Sequence, residues 1–205
     1  MIFYLYSSIF GYLIGSFPTA YVLLKWRRGV DVRKLGSGNV GAMNMVDITG
    51  SAWLGALTMF IDVFKGVMAV TLCRLWISED TSVISAAGLA SVIGHNYSIW
   101  LKGKGGRGIA TAAGVIAVLG WAFIAIWAIL WIVGYVPTKN IHTANIVATI
   151  LSPVVMAFVP SAYFQSVIPG YTEINHFMIV VSLLMGLILV RHSDQFHNAW
   201  KSIHI

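Results

Sequence analysis

Apolar stretches recur along the whole chain, at residues 2–24, 52–77, 83–100, 109–136, 143–164 and 176–190. A hydrocarbon core of about 30 Å is crossed by about 20 helical residues rising about 1.5 Å each, and most of these stretches meet that length. Hydrophobic residues make up 58% of the chain and charged residues 10%, with a mean hydropathy of +0.82. So little polar surface cannot cover a water-soluble fold. The expectation is an all-α integral membrane protein forming one polytopic domain over residues 1–205. The first stretch lacks the basic flank and small-residue cleavage site of a secretory signal, so it is expected to belong to the fold. A single cysteine, Cys73, excludes an internal disulfide and reads as a small packed hydrophobe. The net charge of +6 is read through the position of the basic residues, and no nucleic-acid partner is expected.

Charge sets the sidedness. The segment holding Lys25, Arg27, Arg28, Arg33 and Lys34 is basic, the turn at Glu79 and Asp80 is acidic, and Lys102, Lys104 and Arg107 are basic again. The positive-inside tendency puts the two basic segments in the cytoplasm. As one helix, residues 109–136 would run about 42 Å, longer than the core. Gly120, near the middle, is where the stretch is expected to split into two short, tilted or re-entrant helices. The split changes parity. About seven transmembrane helices then put the N-terminus outside, Glu173 outside, and Lys139, Arg191, His192 and Lys201 inside. The expected location is the inner (plasma) membrane, with the polar motifs facing the cytoplasm and membrane lipids as surroundings.

Asp62 and Lys65 lie three residues apart inside the second stretch, on one helix face. An unpaired charge at that depth costs at least about 2.5 kcal/mol. The spacing predicts a structural ion pair, with Gly66 allowing a close helix contact.

Three polar clusters carry the chemistry. The first runs from Asp31 to Asn44 and contains Gly36, Gly38 and Gly41 in a GxGxxG pattern. No strand or βαβ unit surrounds it, which excludes a dinucleotide fold. Glycines let backbone N–H groups turn toward an anion, and Ser37, Asn39 and Asn44 add neutral hydrogen-bond partners. The second cluster, Gly94-His95-Asn96-Tyr97 followed by residues 102–108, joins glycines, the charges of Lys102, Lys104 and Arg107, and a helix start near Ile109. All three features attract anions. It is no Walker A loop, because Ile109 follows Gly108 where Lys-Ser or Lys-Thr would be needed. The third cluster, Arg191-His192-Ser193-Asp194-Gln195, closes the last apolar stretch, where His192 can orient or deprotonate a hydroxyl.

The segments GSGNVGAMN, DVFKG, GHNYSIWLKGKGGRGIAT and RHSDQ, in this order, resemble the acyl-phosphate:glycerol-3-phosphate acyltransferases of the PlsY type. The resemblance implies seven membrane helices and transfer of a fatty acyl group from acyl phosphate to the sn-1 hydroxyl of glycerol 3-phosphate. Lysophosphatidate and inorganic phosphate are the implied products. No metal, cofactor or obligate protein partner is implied. Position by position, Ser37 falls in the essential part of the first motif, beside Asn39 and Asn44. By the same resemblance Lys104, Gly105, Gly106 and Arg107 would form the phosphate-binding loop of the second, with His95 at its start, and His192 matches the functional histidine of the third. Asp47 stands where the family has arginine, with Arg33 as a compensating base. Gln195 replaces an asparagine, Tyr97-Ser98 a Phe-Pro pair, and Arg107 a lysine. From the residues alone, the same anion loops would also serve a non-catalytic membrane binder or transporter of phosphorylated lipids or metabolites.

A reporter fused after Ile205 is expected to read cytoplasmic. An external reading would separate His192 from the other two motifs and dissolve the composite site.

Overall fold

The computed structural model describes residues 1–160 and 174–193. Glu173, Gln195 and Lys201, and the end of the fifth apolar stretch beyond residue 160, lie outside them. Among the described residues the elements are helical, with no strand. They fall into two compact units, Met1–Val118 and Leu119–Ile205.

The first unit holds α1 (Ile2–Ser16), α2 (Thr19–Arg28), α3 (Ala42–Thr49), α4 (Ala52–Trp76), α5 (Thr81–Asn96) and most of α6 (Ile109–Gly120). The first apolar stretch is not one uninterrupted helix. Pro18 has no N–H to donate and its ring opposes a continuous helix, so the chain breaks at Phe17-Pro18 and restarts as α2. Taken together, Ile2–Arg28 is long and apolar enough to cross a membrane, as are Ala52–Trp76 and, in the second unit, Ile174–Arg191.

Lipid tails are as apolar as leucine, so helices in a bilayer associate through close packing rather than hydrophobic expulsion. Glycine supplies that packing here. A Cβ on Gly11 would strike the Ala87 carbonyl, one on Gly15 the Ser91 carbonyl, and one on Gly94 the Tyr12 carbonyl, so α1 and α5 run backbone against backbone. The α4–α6 pair is built the same way, with Gly66 against the Thr111 carbonyl and Gly114 against that of Val63. Gly66 thus makes the close helix contact expected of it.

The second unit contains α7 (Ala122–Thr138), α8 (Ile141–Ala157) and α9 (Ile174–Arg191). The long fourth stretch is interrupted as expected: α6 ends at Gly120 and α7 begins at Ala122. Two indole N–H groups on α7 donate to α8, Trp131 to Asn145 Oδ1 at 2.8 Å and Trp127 to Thr149 Oγ1 at 3.3 Å. Phe123 meets Phe177 edge-on, ring centroids 6.3 Å apart. Asn140 caps α8 by accepting from the His142 and Thr143 amides.

Gly66→Val places branched carbon where the Thr111 carbonyl already sits, an overpacking expected to cost about 1–3 kcal/mol. Buried Cys73 is the only cysteine, so a thiol-reactive dye reports unfolding directly. The midpoint of dye uptake on heating should fall by several degrees, and an unchanged midpoint would contradict the close packing of α4 on α6.

Candidate functional site

The first glycine loop is organised from within. Asp31 precedes a short 3-10 turn (Val32–Lys34), and its Oδ1 accepts from the Arg33 amide at 3.0 Å. The Arg33 guanidinium returns to the same carboxylate through Nε at 3.0 Å and Nη2 at 2.6 Å. That side-chain bond holds the Asp31 carboxyl down at about 2, against an ordinary 3.8, and raises the Arg33 guanidinium above its ordinary value. A depressed carboxylate stabilises the fold above its unfolded value and loses that contribution as pH falls through about 2. The clamp is therefore intact at neutral pH. Arg33 also lies over the Tyr21 ring and donates through Nη1 to the Leu101 carbonyl at 3.3 Å, reaching the second loop.

Asn44 is the hub of the first loop. Its Nδ2 donates to the carbonyls of Asn39 at 2.9 Å, Leu35 at 3.2 Å and Val32 at 3.4 Å, while Oδ1 accepts from the Ser37 amide at 2.9 Å. The side chain is buried, with its amide committed to the loop itself. The loop wraps around it because Gly36 and Gly38 take left-handed conformations, at φ 54° and 70°, that residues with a Cβ rarely adopt. A Cβ on Gly36 would also strike Asn44 Oδ1. Ser37 is left exposed at the tip, its hydroxyl only 3.4 Å from the Asn39 amide. Asn39 is half-buried behind it.

The second loop is seated on the ends of α1 and α5. Ser98 Oγ donates to the Ser16 carbonyl at 2.6 Å and Tyr12 donates to the Tyr97 carbonyl at 2.8 Å. Ser98, where the family resemblance has proline, thus satisfies a carbonyl released at the end of α1. The chain turns through left-handed Lys102 and Gly103, then doubles back so that the Gly106 amide donates to the His95 carbonyl at 3.0 Å. Gly105 and Gly106 are buried against His95: a Cβ on the first would meet the His95 carbonyl, and one on the second His95 Nε2. Gly106 also approaches the Val40 carbonyl, so the two glycine loops touch. Lys104 projects from this seat exposed, its ammonium without a hydrogen-bond or ion-pair partner among the described residues. Arg107 is half-buried at the approach to α6.

Beneath the loops lies a buried polar group larger than the expected pair. Lys65 Nζ is 2.9 Å from Asp62 Oδ1, 2.7 Å from the Phe17 carbonyl, 3.3 Å from the Gly15 carbonyl and 3.3 Å from His95 Nδ1. Thr19 donates to Asp62 Oδ1 at 2.7 Å. Nδ1 of His95 faces this pair, 3.3 Å from Lys65 Nζ and 3.8 Å from Asp62 Oδ1, while Nε2 lies beside Gly106. Asp62 and Lys65 are thus tied to the second motif through His95. Nothing in their own spacing shows that link. The one sequence signal for it is Pro18, whose break opens the carbonyls that Lys65 reaches.

His192, in the second unit, is buried and turns Nδ1 onto the Ile188 carbonyl at 2.8 Å, so that nitrogen carries the ring hydrogen. Gln195 lies outside the described residues. Asp47 is exposed on α3, without an ion-pair partner among the described residues. Among the described residues no group of three or more His, Cys, Asp or Glu side chains is arranged to hold a metal ion.

The family model for glycerol-3-phosphate acyltransferase matches residues 5–202. The chain belongs to the glycerol-3-phosphate acyltransferase family. It is 38% identical over 190 residues to glycerol-3-phosphate acyltransferase 2 of Thermotoga maritima, covering 93% of this chain and 89% of the relative. Over a shorter span of 111 residues it is 47% identical to the glycerol-3-phosphate acyltransferase of Myxococcus xanthus, covering 54% and 57%. Two crystal structures of PlsY, an integral membrane glycerol 3-phosphate acyltransferase, match 97% of this chain and 92% of theirs. The glycerol 3-phosphate form has a TM-score of 0.81 at 29% identity, and the lysophosphatidic acid form 0.78 at 28%. The family resemblance read from the motifs is therefore shown, and so is the membrane setting.

Within this family member, Lys65→Met strands the Asp62 carboxylate in the interior with Thr19 as its main remaining donor, an expected loss of about 3–5 kcal/mol. Adding Asp62→Leu removes the orphaned charge and should recover most of that stability in the thiol-dye assay. A double variant no more stable than Lys65→Met alone would contradict the pairing.

Proposed function

We propose that the protein transfers a fatty acyl group from acyl phosphate to the sn-1 hydroxyl of glycerol 3-phosphate, giving lysophosphatidate and inorganic phosphate. In this reading it crosses the inner membrane seven times, N-terminus outside and C-terminus inside, and works at the cytoplasmic face. The observation that carries the proposal is the meeting of the two glycine loops, which offers the exposed Lys104 ammonium and the exposed Ser37 hydroxyl on one interlocked platform. Family membership and the solved relatives' glycerol 3-phosphate and lysophosphatidic acid forms support the substrate pair.

The chemistry asks little covalent work of the protein. The acceptor hydroxyl attacks the acyl carbonyl carbon, a new ester C–O bond forms, and the bond to the phosphate oxygen breaks as phosphate leaves with the electron pair. Because the leaving group is already good, positioning and charge stabilisation carry the catalysis. Lys104 and Arg107 hold phosphate. Gly105 and Gly106 permit the close seat on His95, and the Gly106 amide is spent on that seat. Ser37 and Asn39 orient the acyl-phosphate head, while Asn44 and Arg33 keep the loop in shape. His192, with Gln195, places the acceptor, and the hydroxyl proton passes either to His192 or to a substrate phosphate. Asp47, an exposed acid on the helix that follows the first motif, weakens by charge repulsion the hold on any phosphorylated substrate; the second reading is a non-catalytic membrane binder or transporter of phosphorylated lipids or metabolites.

Incubating the purified protein with long-chain acyl phosphate and labelled glycerol 3-phosphate should yield lysophosphatidate. Lys104→Ala removes one charge-assisted contact and should lower kcat/KM by roughly tenfold to a hundredfold. Absence of product above that control, at several acyl chain lengths, would leave the binder. Asp47→Arg should lower the KM for the phosphorylated substrates, and an unchanged or higher KM would count against the repulsion.

A further inference from the structure

A second amphipathic site lies beside α2, lined by different side chains from those of the glycine loops. Leu23, Trp26 and Arg27 on α2 face Ser51, at the cap of α4, with Trp53, Leu54 and Leu57 along its first turns; together they line a slot of about 200 Å³. That is below the roughly 300 Å³ at which ordinary ligand pockets begin. Three leucines and two indoles make up most of the wall. The hydroxyl of Ser51 already accepts from the Leu54 amide as the helix cap. One hydrocarbon chain suits such a slot, whereas a soluble polar metabolite would leave its hydroxyls without partners.

The mouth of the slot has one charge. Arg27 is exposed and has no hydrogen-bond or ion-pair partner among the described residues. Three other basic residues of the segment are spent on the protein: Lys25 donates to the Gly29 carbonyl, Arg28 to those of Ile48 and Thr49, and Arg33 to Asp31, while the exposed Lys34 is no part of the slot's lining. The two indoles stand out, Trp26 at 83% and Trp53 at 71% exposure, although tryptophan is among the costliest side chains to leave in water. Tryptophan beside an unpaired basic residue is the chemistry of the membrane–water interface.

We propose that this slot binds one anionic membrane phospholipid, with a chain segment against Leu23, Leu54 and Leu57, the indoles at the glycerol level and the headgroup phosphate on Arg27. The site holds a resident lipid and belongs to neither substrate.

Native mass spectrometry of the full chain, released from mild detergent and titrated with phosphatidylglycerol or phosphatidylcholine, tests the assignment. The anionic lipid should bind roughly fivefold more tightly, the ratio one basic residue supports at a charged surface. Arg27→Gln, an exposed change, should abolish that preference, and Leu57→Trp, which fills the slot, should remove binding of both lipids at an unchanged thiol-dye midpoint. Equal affinity for the two lipids, or a preference that survives Arg27→Gln, overturns the proposal. Stoichiometric displacement of phosphatidylglycerol by long-chain acyl phosphate or lysophosphatidate also overturns it, because the slot would then be a substrate's chain site.

Discussion

A single ammonium group, that of Lys65, has to be satisfied without water, and the first unit is arranged around doing so. An unpaired cation deep in a bilayer protein is costly, so its donors must find acceptors inside the protein. Asp62 is the charge partner, but one carboxylate oxygen does not occupy three N–H donors. The rest come from a defect in another helix. Pro18 interrupts the α1–α2 stretch, and the carbonyls of Gly15 and Phe17 at that break accept from Lys65. The neighbouring Ser16 carbonyl accepts from Ser98. The defect in one helix and the charge in another satisfy each other, and His95 brings α5 into the same cluster.

The glycine loops sit on this foundation, and most of their polar side chains serve as architecture. Asn44 spends its amide on holding the first loop, Arg33 clamps Asp31 and reaches the second loop, and the Gly106 amide is taken by the His95 carbonyl. Left exposed above them are the Ser37 hydroxyl and the Lys104 ammonium. Groups carried on loops whose internal hydrogen bonds are already made are preorganised for the proposed chemistry.

Much of the candidate site was legible before any coordinates. The glycine spacing at 36, 38 and 41 and at 103, 105, 106 and 108 marks tight loops, because glycine alone readily takes the left-handed turns at 38 and 103 and leaves room for the close approaches at 105 and 106. The break at Gly120 follows from arithmetic, since 28 helical residues exceed the bilayer core. The Asp62–Lys65 pair follows from the expense of either charge alone. By contrast, the role of Asn44 was only half legible. Its type predicts hydrogen bonding, but whether an amide faces a ligand or its own loop depends on carbonyls placed by the left-handed Gly36 and Gly38, eight and six residues away.

The sequence by itself determined the membrane setting, the helical class, the family and the polar motifs proposed to form the site. Each of these rests on local quantities: run length, charge spacing and motif identity. Only the tertiary structure decided that the first two polar clusters interlock, that Lys65 reaches His95, and that the first glycine loop is held by Asn44. The first two of those facts depend on contacts between residues 30 to 68 positions apart, and the third on bonds spanning 5 to 12 positions across turns whose direction is set by backbone conformation. The glycines that mark the loops in the sequence are the same residues that let them close on one another, which is why the motifs announce a site before its shape is known.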